Sequence, residues 1–148
     1  MARQDYILRM IEVAGRALRA LLRGLRSGDV GAGEMKDRLR TTAEGVGLDL
    51  ELLRKVDLDT LVLLVSPGGE PEIGRCWVSA ELFAVDAEGA ELNGDLEGAL
   101  DSCRRALRLY ALVDPSVVAA GFPEVTARVA EIRERLDRVE TQLEAGPA

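Results

Sequence analysis

The sequence has no histidine, and only two of its 148 residues are cysteine. Without histidine the chain cannot form a Ser-His-Asp or Cys-His catalytic arrangement, and it lacks the commonest general base and a usual ligand of zinc. Two cysteines do not make a disulfide framework, so we expect Cys76 and Cys103 to be buried, free thiols in a reducing bacterial cytoplasm. We therefore predict no catalytic residue, no metal and no cofactor, and we expect a protein that is not an enzyme.

Aromatic residues and long apolar runs are also scarce. The longest apolar run, Leu61–Val65, is far too short to span a bilayer. Charged residues interrupt the N-terminal segment where a secretory signal would need an apolar centre. The apolar residues are mainly leucine, valine and alanine, which is typical of helices that pack through aliphatic ridges. The composition predicts an all-α cytoplasmic protein with no membrane span.

Acidic residues outnumber basic residues, and the net charge is −7. The charge is unevenly distributed, because residues 1–26 hold six arginines and two carboxylates, a net charge of +4, and the remainder carries −11. An acidic body argues against nucleic-acid binding, since phosphates require a basic face. The basic first segment suits either an anionic membrane surface or the acidic remainder of the chain, and the width of its apolar stripe favours the second.

Hydrophobic periodicity predicts a compact bundle of about six to eight helices in one domain, residues 1–148. The N-terminal helices occupy 5–65, and the first of them has an apolar stripe centred on Leu18. The sequence SPGGEPE at 66–72 predicts a linker. Three further elements are then expected: a helical hairpin at 73–114, a short turn of helix at 116–120 and a C-terminal helix at 123–144.

The hairpin at 73–114 resembles a tetratricopeptide repeat. Residues 94–109 read GDLEGALDSCRRALRL, and several positions match the small and aromatic residues of that repeat: Phe83, Ala87, Ala99 and Ala106. Asp86 stands where the repeat has leucine, and Ala90 where it has tyrosine. We find a single repeat, whereas a solenoid needs about three to bury a continuous face. An ordinary helical hairpin in a small bundle is the alternative.

Two other segments resemble a family of small bacterial proteins to which no activity is assigned. DYILRMIE at 5–12 is similar to the D-Y-I-x-R-x-I-E helix that opens those chains, and LDLELLRKVDLDTLVLLVSPGG at 48–69 is similar to their middle segment. Members of the family end in a tetratricopeptide-like region. The resemblance implies an all-helical fold and no particular reaction.

The C-terminal helix and the hairpin supply the candidate interface residues. An apolar stripe with steps of four and three residues, which suits a coiled-coil seam, consists of Val125, Val129, Ile132, Leu136, Val139 and Leu143. This stripe either covers the hairpin or joins two copies in a homodimer. A basic spot on the hairpin, either a solvated face or an anion site, consists of Arg104, Arg105 and Arg108. The acids near the hairpin turn are expected to be solvated: Glu88, Glu91, Asp95 and Glu97.

Together these features predict a non-catalytic helical scaffold or adaptor. Packed helix pairs leave grooves that bind a helix or an extended segment of another protein or of another copy of the chain. The alternative is a small-ligand sensor or regulator with a pocket between helices near Trp77.

Overall fold

The computed structural model describes residues 2–113 and 125–146, and α-helices account for most of them. No β-strand occurs in these two ranges, which confirms the predicted all-α class. The apolar run at 61–65, which alone would also suit a strand, belongs mainly to a helix. The predicted turn of helix at 116–120 and the first residues of the predicted C-terminal helix lie outside the described residues. The helices are α1 (Ala2–Ser27), α2 (Ala32–Gly45), α3 (Leu50–Lys55), α4 (Leu58–Leu64), α5 (Ile73–Leu92), α6 (Leu96–Tyr110) and α7 (Val125–Ala145).

Aspartates stand immediately before three of these helices and satisfy backbone N–H groups that have no partner within the helix. The pairs are Asp49 with the N–H of Leu52 (3.2 Å), Asp57 with that of Thr60 (2.7 Å) and Asp95 with that of Gly98 (2.9 Å). The hydrogen bonds from Thr60 also lower the pKa of the Asp57 carboxyl group. These side chains fix where α3, α4 and α6 begin.

Two glycines end the long helices α1 and α5. Gly28 has φ 81° and Gly94 has φ 80°, values in the left-handed region that glycine adopts without a steric penalty. After Gly94 the chain reverses within three residues, so α6 runs back along α5 as the second half of a hairpin.

Helix α5 lies at the centre of the fold. Every residue from Cys76 to Gly89 is buried, on all sides of the helix, because α1, α2 and α6 pack around it. Small residues allow this close packing, and a Cβ atom on Gly89 would lie only 2.0 Å from the Met35 sulfur of α2. The centre of the bundle is therefore a helix that has no solvent-facing stripe over most of its length.

The helices on both sides of the linker at 66–72 contribute to one cluster of buried side chains. The apolar stripe of α1 faces this core as predicted, and Leu18 is 1% exposed. From the opposite side, α7 packs on α6 and contributes Ile132, which is also 1% exposed. The cluster extends from Ile11 to Ile132, so the N-terminal helices, the hairpin and α7 share their apolar surfaces.

Candidate functional site

The apolar stripe predicted as an interface lies on α7, and most of it faces the hairpin. Its buried members are Val125, Ile132 and Val139. Its half-buried members are Val129, Leu136 and Leu143. Since Val129 and Leu136 also pack against the core, the middle of the stripe is not on the surface of the monomer.

Arg105, one of the three predicted basic interface residues, is buried and joins two helices. Its Nε donates a hydrogen bond to Asp101 (2.8 Å), and its Nη1 donates one to the backbone carbonyl of Leu53 in α3 (2.9 Å). Its guanidinium also lies 6.0 Å from the ring centroid of Phe83. These contacts give Arg105 a role in holding α3 against α6.

The other two predicted arginines remain on the surface but point to different neighbours. Arg104 lies 3.7 Å from Glu140 of α7, and Arg108 lies 3.6 Å from Asp59 of α4. The three arginines therefore do not converge on one anion site.

Three carboxylates lie buried within α5, although the sequence pattern did not predict buried acids there. Glu81, Asp86 and Glu88 are 3%, 6% and 7% exposed. Burying a carboxylate is costly unless it is paired and hydrogen-bonded, and arginines from several helices contact these three. From the sequence, Asp86 was the residue that could have indicated a buried acid, because it occupies an apolar position of the repeat that the hairpin resembles.

Asp86 lines a narrow polar cleft of about 130 Å³ between α2, α5 and α6. One carboxylate oxygen accepts a hydrogen bond from Arg54 Nη2 (2.9 Å), and the other accepts one from the Ser102 hydroxyl (2.6 Å). Two further acids at this cleft, Asp95 and Asp101, bind Gly98 N–H and Arg105 respectively. Because each of these three carboxylates already accepts a hydrogen bond within the protein, they form a structural network.

Glu88 of the central helix α5 binds arginines of both α1 and α7. It accepts hydrogen bonds from Arg26 of α1 (3.0 and 3.1 Å) and from Arg135 of α7 (2.8 Å). The expectation that Glu88 is solvated was wrong, because two arginines and the neighbouring helices cover it. The hydrogen bonds to Glu88 raise the pKa of Arg26.

Glu91 lies one turn further along α5 and makes the same kind of contact. Both its oxygens accept hydrogen bonds from Arg138 (2.8 Å each), and Arg135 Nε donates a third (3.0 Å). The bonds from Arg138, with the one from Arg135, lower the pKa of the Glu91 carboxyl group. The acids of this end of α5 thus attach α7 to the hairpin by charge as well as by apolar contact.

Glu81 is the third acid of α5 that forms an ion pair with α7. Arg128 Nε lies 3.3 Å from its Oε2, and both side chains are largely buried. Burial and the negative charge of Glu81 raise the pKa of the nearby Tyr110 hydroxyl well above its usual range. Three glutamates of α5, Glu81, Glu88 and Glu91, therefore pair with arginines of α7.

An open groove lies between α1 and α2, with a volume of about 540 Å³. Its lining is mostly apolar or uncharged: Met10, Val13, Ala14, Ala17, Thr41, Thr42, Gly45 and Val46, with Arg9 at one end. Val13 is 66% exposed, although it lies beside residues that belong to the core. No residue of this groove was among the predicted interface residues. The sequence feature that could have indicated the groove is Val13, an apolar residue that falls outside the core-facing stripe of α1.

A second open cavity, of about 380 Å³, lies where the hairpin turn meets the end of α7. Leu96 and Leu143 line it together with Asp95 and Glu97. Leu143 is thus the one predicted stripe residue that lines a cavity among those described here.

Trp77 packs against the first helix, in contact with Gly15, where an added Cβ atom would lie 3.1 Å from the indole ring. It lines none of the three cavities described above. Cys76 and Cys103 are free and fully buried, and burial raises the pKa of each thiol to about 11. These side chains belong to the core.

Within residues 2–113 and 125–146, no group of three or more acidic or cysteine side chains is placed to hold a metal ion. In the same ranges, no helix is long and apolar enough to cross a lipid bilayer. The chain matches no protein-family model, no curated protein and no solved structure.

Proposed function

We propose that this protein is a non-catalytic helical adaptor whose α1–α2 groove binds an amphipathic helix of another polypeptide. The observation that carries the proposal is the exposed Val13 in a concave, mostly apolar surface. Grooves of this kind bind helices through apolar residues spaced three or four positions apart. The two buried, free cysteines support a reducing compartment such as a bacterial cytoplasm.

The dimensions of the groove suit a short helical segment. Its α1 wall extends from Arg9 to Ala17, which is about 12 Å at the helical rise per residue. That length accommodates about two turns, and therefore two or three apolar anchors on the bound helix. The small side chains of Ala14, Ala17 and Gly45 keep the groove open.

Self-association through the α7 stripe has less structural support. Val125, Ile132 and Val139 are buried in the monomer, so a dimer formed through them would first have to displace α7 from α6. That displacement would also break the ion pairs of Arg135 and Arg138 with α5. The groove needs no such rearrangement.

The test is binding of fluorescent amphipathic helical peptides of about 14 residues, the length at which such helices become marginally stable in water. Peptides with leucines at positions i, i+4 and i+7 are titrated with the full chain, and fluorescence anisotropy gives the Kd. Val13→Asp places a carboxylate in the groove and is expected to weaken binding at least tenfold, on the order of 1.4 kcal/mol.

The matched control is Leu63→Asp, since Leu63 is 71% exposed on α4 and lines none of the described cavities. It changes the same kind of exposed apolar residue to the same acid, and it should leave the Kd unchanged. Both variants should unfold at the urea concentration of the parent protein. Equal binding by Val13→Asp and Leu63→Asp would rule out the groove as the site.

A further inference from the structure

The two walls of the α1–α2 groove differ in charge. On the α1 side, Arg9 lines the groove, and Arg16 is exposed one turn away from Val13 on the same edge of the helix. Among the described residues neither arginine has an ion-pair partner, in contrast to Arg26, which binds Glu88. The one acid on this part of α1 is Glu12, which is exposed and lies further from the groove around the helix.

The α2 residues that line the groove, Thr41, Thr42 and Gly45, are uncharged. Arg38, on the groove side of α2, is paired with Glu34 at 2.8 Å. The Thr41 and Thr42 hydroxyls donate hydrogen bonds to backbone carbonyls one turn earlier, at 2.9 and 2.8 Å. Within the part of the chain that the structure describes, a bound segment thus meets two arginines without ion-pair partners on one side and hydrogen-bonded threonine hydroxyls on the other.

We propose that the groove selects an acidic amphipathic helix from a different protein, an inference that rests on the proposed function. The apolar residues of that helix would contact Met10, Val13 and Ala17. Its glutamates or aspartates, on the edge beside α1, would pair with Arg9 and Arg16. Charges at the edge of an interface give specificity and speed association, and here they select the sign of the ligand.

A second copy of the chain is a poor donor of such a helix. The exposed large apolar residues in the described part of the chain are Val13, Leu52, Leu58, Leu63 and Leu92. Only Leu58 and Leu63 share a helix, and a separation of five residues places them on different faces. Of the helices in this part of a second copy, only α1 presents apolar residues at the required spacing, Met10, Val13 and Ala17, and its binding would place the arginines at 9 and 16 of the two copies close together, where like charges repel.

The test compares three helical peptides with the same leucines, whose flanking positions carry glutamate, glutamine or lysine. At about 0.05 M salt the glutamate peptide should bind the full chain about fivefold more tightly than the glutamine peptide, and the lysine peptide more weakly than both. At about 0.5 M salt this difference should largely disappear, because exposed ion pairs are screened.

The double variant Arg9→Glu/Arg16→Glu should reverse the order, so that the lysine peptide binds best. The matched control Arg104→Glu/Arg133→Glu makes the same change in net charge on exposed residues of α6 and α7. It should keep the original order, which separates local pairing from the effect of overall charge.

The outcomes separate the two proposals. If no peptide binds, the proposed function fails. If the glutamate and glutamine peptides bind equally well and Val13→Asp weakens both, the groove stands and the acidic ligand is wrong. Sedimentation that shows a dimer lost in Val13→Asp would identify a second copy as the occupant and overturn the inference. Binding to phosphatidylglycerol vesicles with the same dependence on Val13 would overturn it in favour of a membrane surface.

Discussion

At the scale of single residues, Asp86 shows how the core holds a charge. Its carboxylate is 6% exposed, and both its oxygens accept hydrogen bonds, one from Arg54 and one from Ser102. A buried ion pair adds little stability compared with an apolar pair of the same shape, but the loss of one partner leaves the other charge buried and uncompensated. We therefore expect truncation of Asp86 to destabilise the protein, even though the intact ion pair adds little net stability.

We expect Asp86→Ala to lower the free energy of unfolding by about 2–4 kcal/mol, because Arg54 and Ser102 lose their acceptor. Urea unfolding followed by circular dichroism measures this change. The control is Asp37→Ala, since Asp37 is exposed and pairs with Arg40 on the same helix, where ion pairs contribute little. If the two variants unfold at the same urea concentration, the network around Asp86 does not stabilise the fold.

At the scale of helices, the stripes of α1 and α7 were predictable because each helix has one apolar and one polar face. Periodicity identifies such a face, and Leu18 and Ile132 are buried as it indicates. The direction of the α7 stripe was not predictable, since the same spacing suits a cover for the hairpin and a dimer seam. The structure places the stripe on α6.

Periodicity could not predict which residues of α5 are buried, because it assumes that the polar residues of a helix face water. Glu81 and Glu88 are instead buried against arginines that lie far away in the sequence, on α7 and α1. Arg105 was assigned to the surface for the same reason, although it binds the Leu53 carbonyl. Pairings between distant charges leave no local pattern in a single sequence. The α1–α2 groove could not be predicted either, because its shape depends on how two helices pack.

The attachment of α7 to α5 is expected to depend on pH through Glu91. Arg138, with Arg135, lowers the pKa of Glu91 below its ordinary value of 4.5, so the unfolded chain binds a proton at a higher pH than the folded chain does. The stability from this pair is therefore complete above pH 4.5, and it is lost as the pH falls through the lower, folded-state pKa.

Arg138→Gln should consequently cost stability at neutral pH and cost much less at a pH below the folded-state pKa of Glu91, where Glu91 is protonated in both states. Urea midpoints at several pH values, compared between the variant and the parent, isolate this contribution from the other acids. Arg133→Gln on the same helix is the control, and its difference from the parent should not change with pH. A constant difference for Arg138→Gln would contradict the role assigned to Glu91.

At the scale of the whole molecule, the two thiols test whether the helices form one cooperative unit. Cys76 on α5 and Cys103 on α6 are fully buried, and their pKa values of about 11 keep them almost entirely protonated at neutral pH. A thiol reagent should therefore label neither cysteine in the native protein, and both should react after unfolding in urea.

Because one cluster of buried side chains extends from α1 to α7, we expect both cysteines to become reactive over the same urea range in which the helical signal is lost. Mass spectrometry of the labelled protein, with single Cys76→Ala and Cys103→Ala variants to assign each site, measures the two transitions. Labelling of Cys103 at urea concentrations that preserve the helical signal would instead mean that α6 and α7 open separately from the N-terminal helices.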